Sequence, residues 1–213
     1  MKRLTFLLMM IFTINIGAQR IGELAPEKQP EIFPENSWGV DLMFGEGGFG
    51  LGAFIHKNFT PVITGFADIS FSESKDEREV EYVDWYGNTF VLGKENRVFL
   101  IPLNFGLQYR LFYNVLTDNL RPYINAGVGP TFVVSTPYNE EFFSSFGKAK
   151  MHYAVGGYVG IGANFGISKR NLAGVNVRYY YVHLFDKGVE NMTNKFRKNL
   201  GHFYLTLNLG IMY

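Results

Sequence analysis

The chain has 213 residues, a formal charge of +1 and no cysteine. Near-neutrality excludes the clustered basic face that nucleic acid requires, and the lack of cysteine excludes disulfides, thiolate metal sites and a lipidated cysteine. Aromatic residues at 17% beside 24 glycines fit strands better than helices, because helices avoid glycine whereas sheets use it at turns, bulges and crowded walls.

In chain order, residues 1–18 read as an export signal: Lys2 and Arg3 form a positive start, Leu4 to Ile16 an apolar run, and Gly17 and Ala18 a small-residue cleavage site. Removing them changes the charge from +1 to −1. The run is too short for a spanning helix, and no later stretch offers about 18 uninterrupted apolar residues. Residues 19–36 carry Pro26, Pro30 and Pro34 among charges with no periodicity, which predicts a flexible periplasmic leader.

From Ser37 to Tyr213 the sequence alternates with period two, the signature of strands. Trp38, Val40, Leu42 and Phe44 oppose Gly39, Asp41 and Met43, and Phe49, Leu51, Ala53 and Ile55 oppose Gly50, Gly52, Phe54 and His56. Ile63 to Phe71 and Phe99 to Leu111 repeat the pattern, followed by segments at about 122–134, 151–165, 172–185 and 202–213. The total is eight. Short connections at 57–60, 113–120 and 168–171 alternate with long charged ones at 73–96, 135–150 and 186–201; only 45–48 breaks the rule. This asymmetry predicts an all-β fold, an eight-stranded antiparallel up-and-down transmembrane β-barrel with short turns in the periplasm and long loops outside. Lipid offers no hydrogen-bond partners, so the sheet must close on itself.

The larger apolar face is assigned to lipid. The opposite face carries Asp41, Asp68, Asn104, Gln108, Arg110, Asn125, Asn164, Asn176, Arg178, Tyr180 and Asn208. Charges of both signs would be ruinous in an oily core, yet they satisfy each other in a polar lumen. Side chains fill the interior of an eight-stranded barrel, so these residues are expected to plug it. Phe71, Tyr153, Tyr181 and Phe185 should form the outer aromatic girdle, with Tyr109, Phe165 and Tyr213 forming the inner one.

The segment LRPYINAGVGPTF (120–132), the terminal LNLGIMY and the signal ending in GAQ resemble the small outer-membrane barrels of the OmpA-like and OmpX-like type, especially the outer-membrane β-barrel domain proteins of Bacteroidota. The resemblance implies residence in the outer membrane of a Gram-negative bacterium, as a monomer among lipid and lipopolysaccharide. It also implies that Leu209, Gly210, Ile211 and Tyr213 form the signal read by the barrel-assembly machinery. It implies no cofactor, no metal and no activity.

Three patterns could carry chemistry. GEGGFG (45–50) matches a dinucleotide fingerprint, but that motif needs a following helix, and the residues that follow read as a strand; a glycine-rich hairpin is expected. His152 and His202 should point inward near the outer rim, close to Asp68, Ser70 and Ser72, a set that could serve acyl transfer. Lipid A deacylases resemble this barrel in size, yet the pattern of His and Ser two apart on one strand is missing around His183. Finally, Trp85, Tyr86, Phe142 and Phe143 on the long loops are the candidate contacts for an extracellular ligand. The expected role is therefore structural or surface-interactive and non-enzymatic, with lipid A modification and small-solute transport or service to a secretion system as alternatives.

Overall fold

The computed structural model describes residues 33–213 apart from 77, 88, 117, 118 and 167–169. The export signal expected over 1–18 and most of the leader expected over 19–36 lie outside the described residues. In chain order the strands are β1 (Asn36–Gly45), β2 (Gly48–Asn58), β3 (Ile63–Glu73), β4 (Glu81–Val83), β5 (Thr89–Val91), β6 (Asn96–Arg110), β7 (Leu120–Pro137), β8 (Lys150–Gly166), β9 (Asn171–Leu184), β10 (Val189–Met192), β11 (Lys195–Arg197) and β12 (Asn199–Met212). A one-turn helix, α1 (Phe142–Ser145), stands between β7 and β8.

Eight of these strands form a closed antiparallel barrel in the order β1-β12-β9-β8-β7-β6-β3-β2. Closure is made by β1 on β12, with Trp38 opposite Ile211, Asp41 opposite Asn208 and Phe44 opposite Leu205. The first and last strands thus satisfy each other's backbone groups. The alternation read in the sequence is the wall: in β9 exposed and buried residues alternate without a break from Val175 to Leu184. Most apolar residues of the outward parity, among them Ile55, Leu107, Val128, Val159 and Leu205, are exposed. A band of bare Val, Leu, Ile and Phe around a closed sheet is a surface built for hydrocarbon.

The GEGGFG stretch makes the β1–β2 hairpin, with Gly45 opposite Gly48. Gly48 has φ +116°, a backbone state open to glycine at little steric cost. Strand β2 follows it, so nothing there can cradle a phosphate on a helix.

The wall is taller on one side than the period-two reading predicts. Strand β6 begins at Asn96 rather than at Phe99, and β7 and β8 reach 18 and 17 residues, well past the roughly 9–11 that cross hydrocarbon. The surplus rises at the long-loop end. Hairpins β4–β5 and β10–β11 form separate two-stranded sheets there.

Candidate functional site

The middle of the lumen is organised by one arginine between two aspartates. Successive inward positions bring Asp41 from β1, Asp68 from β3, Asn104 from β6, Tyr158 from β8, Arg178 and Tyr180 from β9, and Asn208 from β12 onto the barrel axis. All seven are buried. Arg178 Nη2 lies 3.0 Å from Asp41 Oδ2, and Asn208 donates to Asp41 Oδ1 at 2.5 Å. Asp68 accepts from Asn104 at 2.8 Å and from the Tyr158 hydroxyl at 2.7 Å. Asn104 also donates to Tyr180 Oη at 3.2 Å. The guanidinium lies 5.0 Å from the Tyr158 ring centroid, and that ring packs 4.7 Å from Tyr180. Ion pairing, hydrogen bonding and ring contacts thus meet in one layer that spans the bore.

The polar residues named from sequence divide into three groups. Asn176 donates to Tyr123 Oη at 2.9 Å and lies 3.4 Å from Asn125, a second cluster on the β7–β9 side. Gln108, Arg110 and Asn164 stand apart at the short-turn end, where the Arg110 guanidinium donates to the Leu116 carbonyl at 3.2 Å and covers the Tyr113 ring.

The polar interior expected from the sequence does not reach the long-loop end. Toward the long loops the inward side chains become Val98, Leu100, Val133, Ala154, Val182, Leu184 and Leu200, and Val189 from β10 joins them in one buried cluster. The signal for this was present in the runs VFLI (98–101) and VV (133–134), where both faces are apolar; such a run marks a segment buried on both sides. Outward-facing Phe99 is also buried. Phe142 and Phe146 from the α1 segment cover it with ring centroids at 6.1 and 5.7 Å, and Phe71 stacks on it at 5.2 Å.

Above the apolar layer the long loops bind one another. Lys94 lies 2.6 Å from Glu79, with both side chains buried, and 3.9 Å from Glu73. Backbone bonds run from Glu95 to Asn191 and from Tyr138 to Glu95, joining three connections far apart in sequence. Asp76 is held by both the main chain and the side chain of Arg78, with Arg197 at 3.6 Å. Its Arg78 hydrogen bonds outweigh burial and, with Arg197, pull the carboxyl down to about 2.

The two rim histidines do not join Asp68, Ser70 and Ser72 as the catalytic reading requires. Asp68 is committed to the central layer, and Ser72 accepts from the Tyr204 hydroxyl. His202 meets Ser74 at 2.6 Å. His152 contacts Asp186 through Nδ1, and its Nε2 lies 3.5 Å from Ser135 Oγ. The connectivity is that of a nucleophile, a base and an orienting acid, but the Ser135 spacing is at the limit of a hydrogen bond. The serine is also buried, and its Oγ lies equally near the Lys150 carbonyl. A substrate would have to displace the rim to reach it.

Of the loop candidates, Trp85 and Tyr86 sit almost fully exposed at the tip of the β4–β5 hairpin, and Phe143 is largely exposed beside half-buried Phe142. Leu209, Ile211 and Tyr213 project outward at the short-turn end of β12, while Gly210 packs against β1.

No family model matches the sequence, and no curated protein matches it significantly. Solved structures do match. Neisserial surface protein A superposes with a TM-score of 0.52 at 10% identity, covering 84% of this chain and 94% of its own. The fold is that of the small eight-stranded outer-membrane barrels. The N-terminal barrel domain of Pseudomonas aeruginosa OprF aligns with a TM-score of 0.45 at 15% identity over 84% of this chain and 98% of that one. The attachment invasion locus protein of Yersinia pestis aligns at 0.41 and 11% identity, over 84% and 99%. At these identities a shared architecture carries no shared ligand or chemistry.

Proposed function

We propose that this chain is a non-enzymatic integral protein of the outer membrane of a Gram-negative bacterium, exported by residues 1–18, with its short turns in the periplasm and its long loops outside. It sits as a monomer among lipid and lipopolysaccharide after insertion by the barrel-assembly machinery, which reads Leu209, Gly210, Ile211 and Tyr213. Its work is structural or is done at the outer surface, where Trp85, Tyr86, Phe142 and Phe143 offer aromatic contacts on a rigid support.

One observation carries this reading: the bore is filled in layers. The Arg178–Asp41 layer lies beneath the apolar cluster around Val133 and Val182, and the interlocked loops cover both. An ion crossing this bore would have to separate a buried ion pair and enter a dry apolar layer, both costly. In planar bilayers the refolded protein is expected to stay silent. Stable discrete openings would restore the reading as a small-solute channel.

A further inference from the structure

At the short-turn end the lumen opens into a cavity. Its volume, about 260 Å³, is room for about nine waters at about 30 Å³ apiece, just below the range of about 300–1,000 Å³ typical of drug-sized ligands. Two hydrogen bonds fix residues 34 and 35 in its lining: Asn58 donates its backbone N–H to Glu35 O at 2.7 Å and its side-chain amide to Pro34 O at 3.0 Å. Two arginines line it. Arg110 is nine-tenths buried, and its Nε has no acceptor among the described residues. Arg121 lies under the Phe33 ring at 3.8 Å. Glu35 is the one carboxylate among the described lining residues. Gln108 and Asn164, both buried, add amides, while Phe59, Leu172 and Met212 supply an apolar side.

We propose that this cavity binds a small organic monocarboxylate. The planar fork of a guanidinium matches a carboxylate with two parallel hydrogen bonds, and the buried Arg110 Nε, with no acceptor among the described residues, is left to donate one of them. The apolar side favours a ligand with a hydrocarbon or aromatic body over an inorganic ion. In the proposed orientation the mouth faces the periplasm. The site stands whether or not the lumen conducts, because it lies on the near side of the Arg178 layer.

The test uses the full mature chain, refolded in uncharged detergent and followed by amide NMR, with benzoate as the probe. Saturating shifts are expected at Phe59, Arg110, Tyr113 and Arg121, with a dissociation constant of about 1 mM, equivalent to about 4 kcal/mol. R110Q should weaken binding at least about tenfold, a loss of about 1.4 kcal/mol, and R121Q should do the same should the first variant fail to fold. Heat-modifiable gel mobility reports folding for each. Benzylamine, of the same shape and opposite charge, should give no saturable shift, and inorganic phosphate should bind less tightly than benzoate. The proposal is overturned by unsaturable shifts with benzoate to about 10 mM, ten times the dissociation constant expected above. It is equally overturned by unchanged affinity in a folded R110Q or R121Q, by benzylamine binding as well as benzoate, or by phosphate binding as tightly.

Discussion

Arg178 is the residue on which the interior turns. Its charge is buried where water cannot solvate it, and Asp41 at 3.0 Å neutralises it. Removing one member of such a pair strands the other, at a cost of about 3–5 kcal/mol, whereas replacing both with apolar groups of similar size is often neutral. Arg178→Met should therefore destabilise the folded barrel by about 3–5 kcal/mol in urea unfolding from lipid vesicles. The double variant Arg178→Met with Asp41→Leu should recover most of that loss. If the single change proved neutral, the ion pair would not organise the centre. Gly106 shows the same crowding from the other side: an added Cβ would sit 2.1 Å from the Ala126 carbonyl oxygen and 2.4 Å from the Phe66 ring. Only the missing side chain lets Phe66 lie across the bore. Glycine on the inward parity was readable from sequence, but which ring it makes room for was not, because the ring comes from a neighbouring strand.

At the scale of elements, strands were legible and loops were not. Period-two alternation is a local property, and it located the inward faces of β1, β2, β3, β6 and β9 before any contact was known. The boundaries slipped where both faces turn apolar, as at Val98 to Ile101, because alternation is lost when a strand is covered on both sides. The loops are held instead by pairs with no local signature. Ser74 and His202 are 128 residues apart, and Lys94 bridges to Met192. The connection from 74 to 95 also carries a pH response. Hydrogen bonds from Arg78 lower the Asp76 carboxyl from 3.8 to about 2. A carboxyl depressed on folding contributes stability that is complete above its ordinary value and disappears as pH falls through the folded one. The Asp76 contribution should hold from neutrality to about pH 4 and fade toward pH 2. Carboxyl carbon NMR should give an Asp76 midpoint near 2; a midpoint at the ordinary value would mean that Arg78 and Arg197 do not hold it.

The whole molecule inverts the usual arrangement of a β protein in its lower and middle reaches and restores it at the top. Around the Arg178 layer, polar groups face in and apolar groups face out, which hydrocarbon favours and water forbids. Toward the long loops the interior becomes an ordinary apolar core, which Val189 of β10 helps to close. That change follows from where the surplus lengths of β6, β7 and β8 stand. Beyond the hydrocarbon the wall meets water, and a water-exposed barrel end gains from a dry interior. The candidate contacts Trp85, Tyr86, Phe142 and Phe143 were legible as aromatics on long connections. A shape that could recognise a ligand was not, because no period encodes it.

The lipid-facing wall is tested most directly by spin labels, for which a chain without cysteine is well suited. Single cysteines at Leu107, Val159, Asn104 and Trp85, labelled after refolding into vesicles, report collisions with oxygen, which partitions into hydrocarbon, and with a water-soluble nickel chelate. Oxygen should dominate at Leu107 and Val159, the chelate at Trp85, and neither should reach Asn104 freely. Chelate collisions exceeding oxygen at Leu107 and Val159, or lipid-like oxygen access at Asn104, would contradict the account.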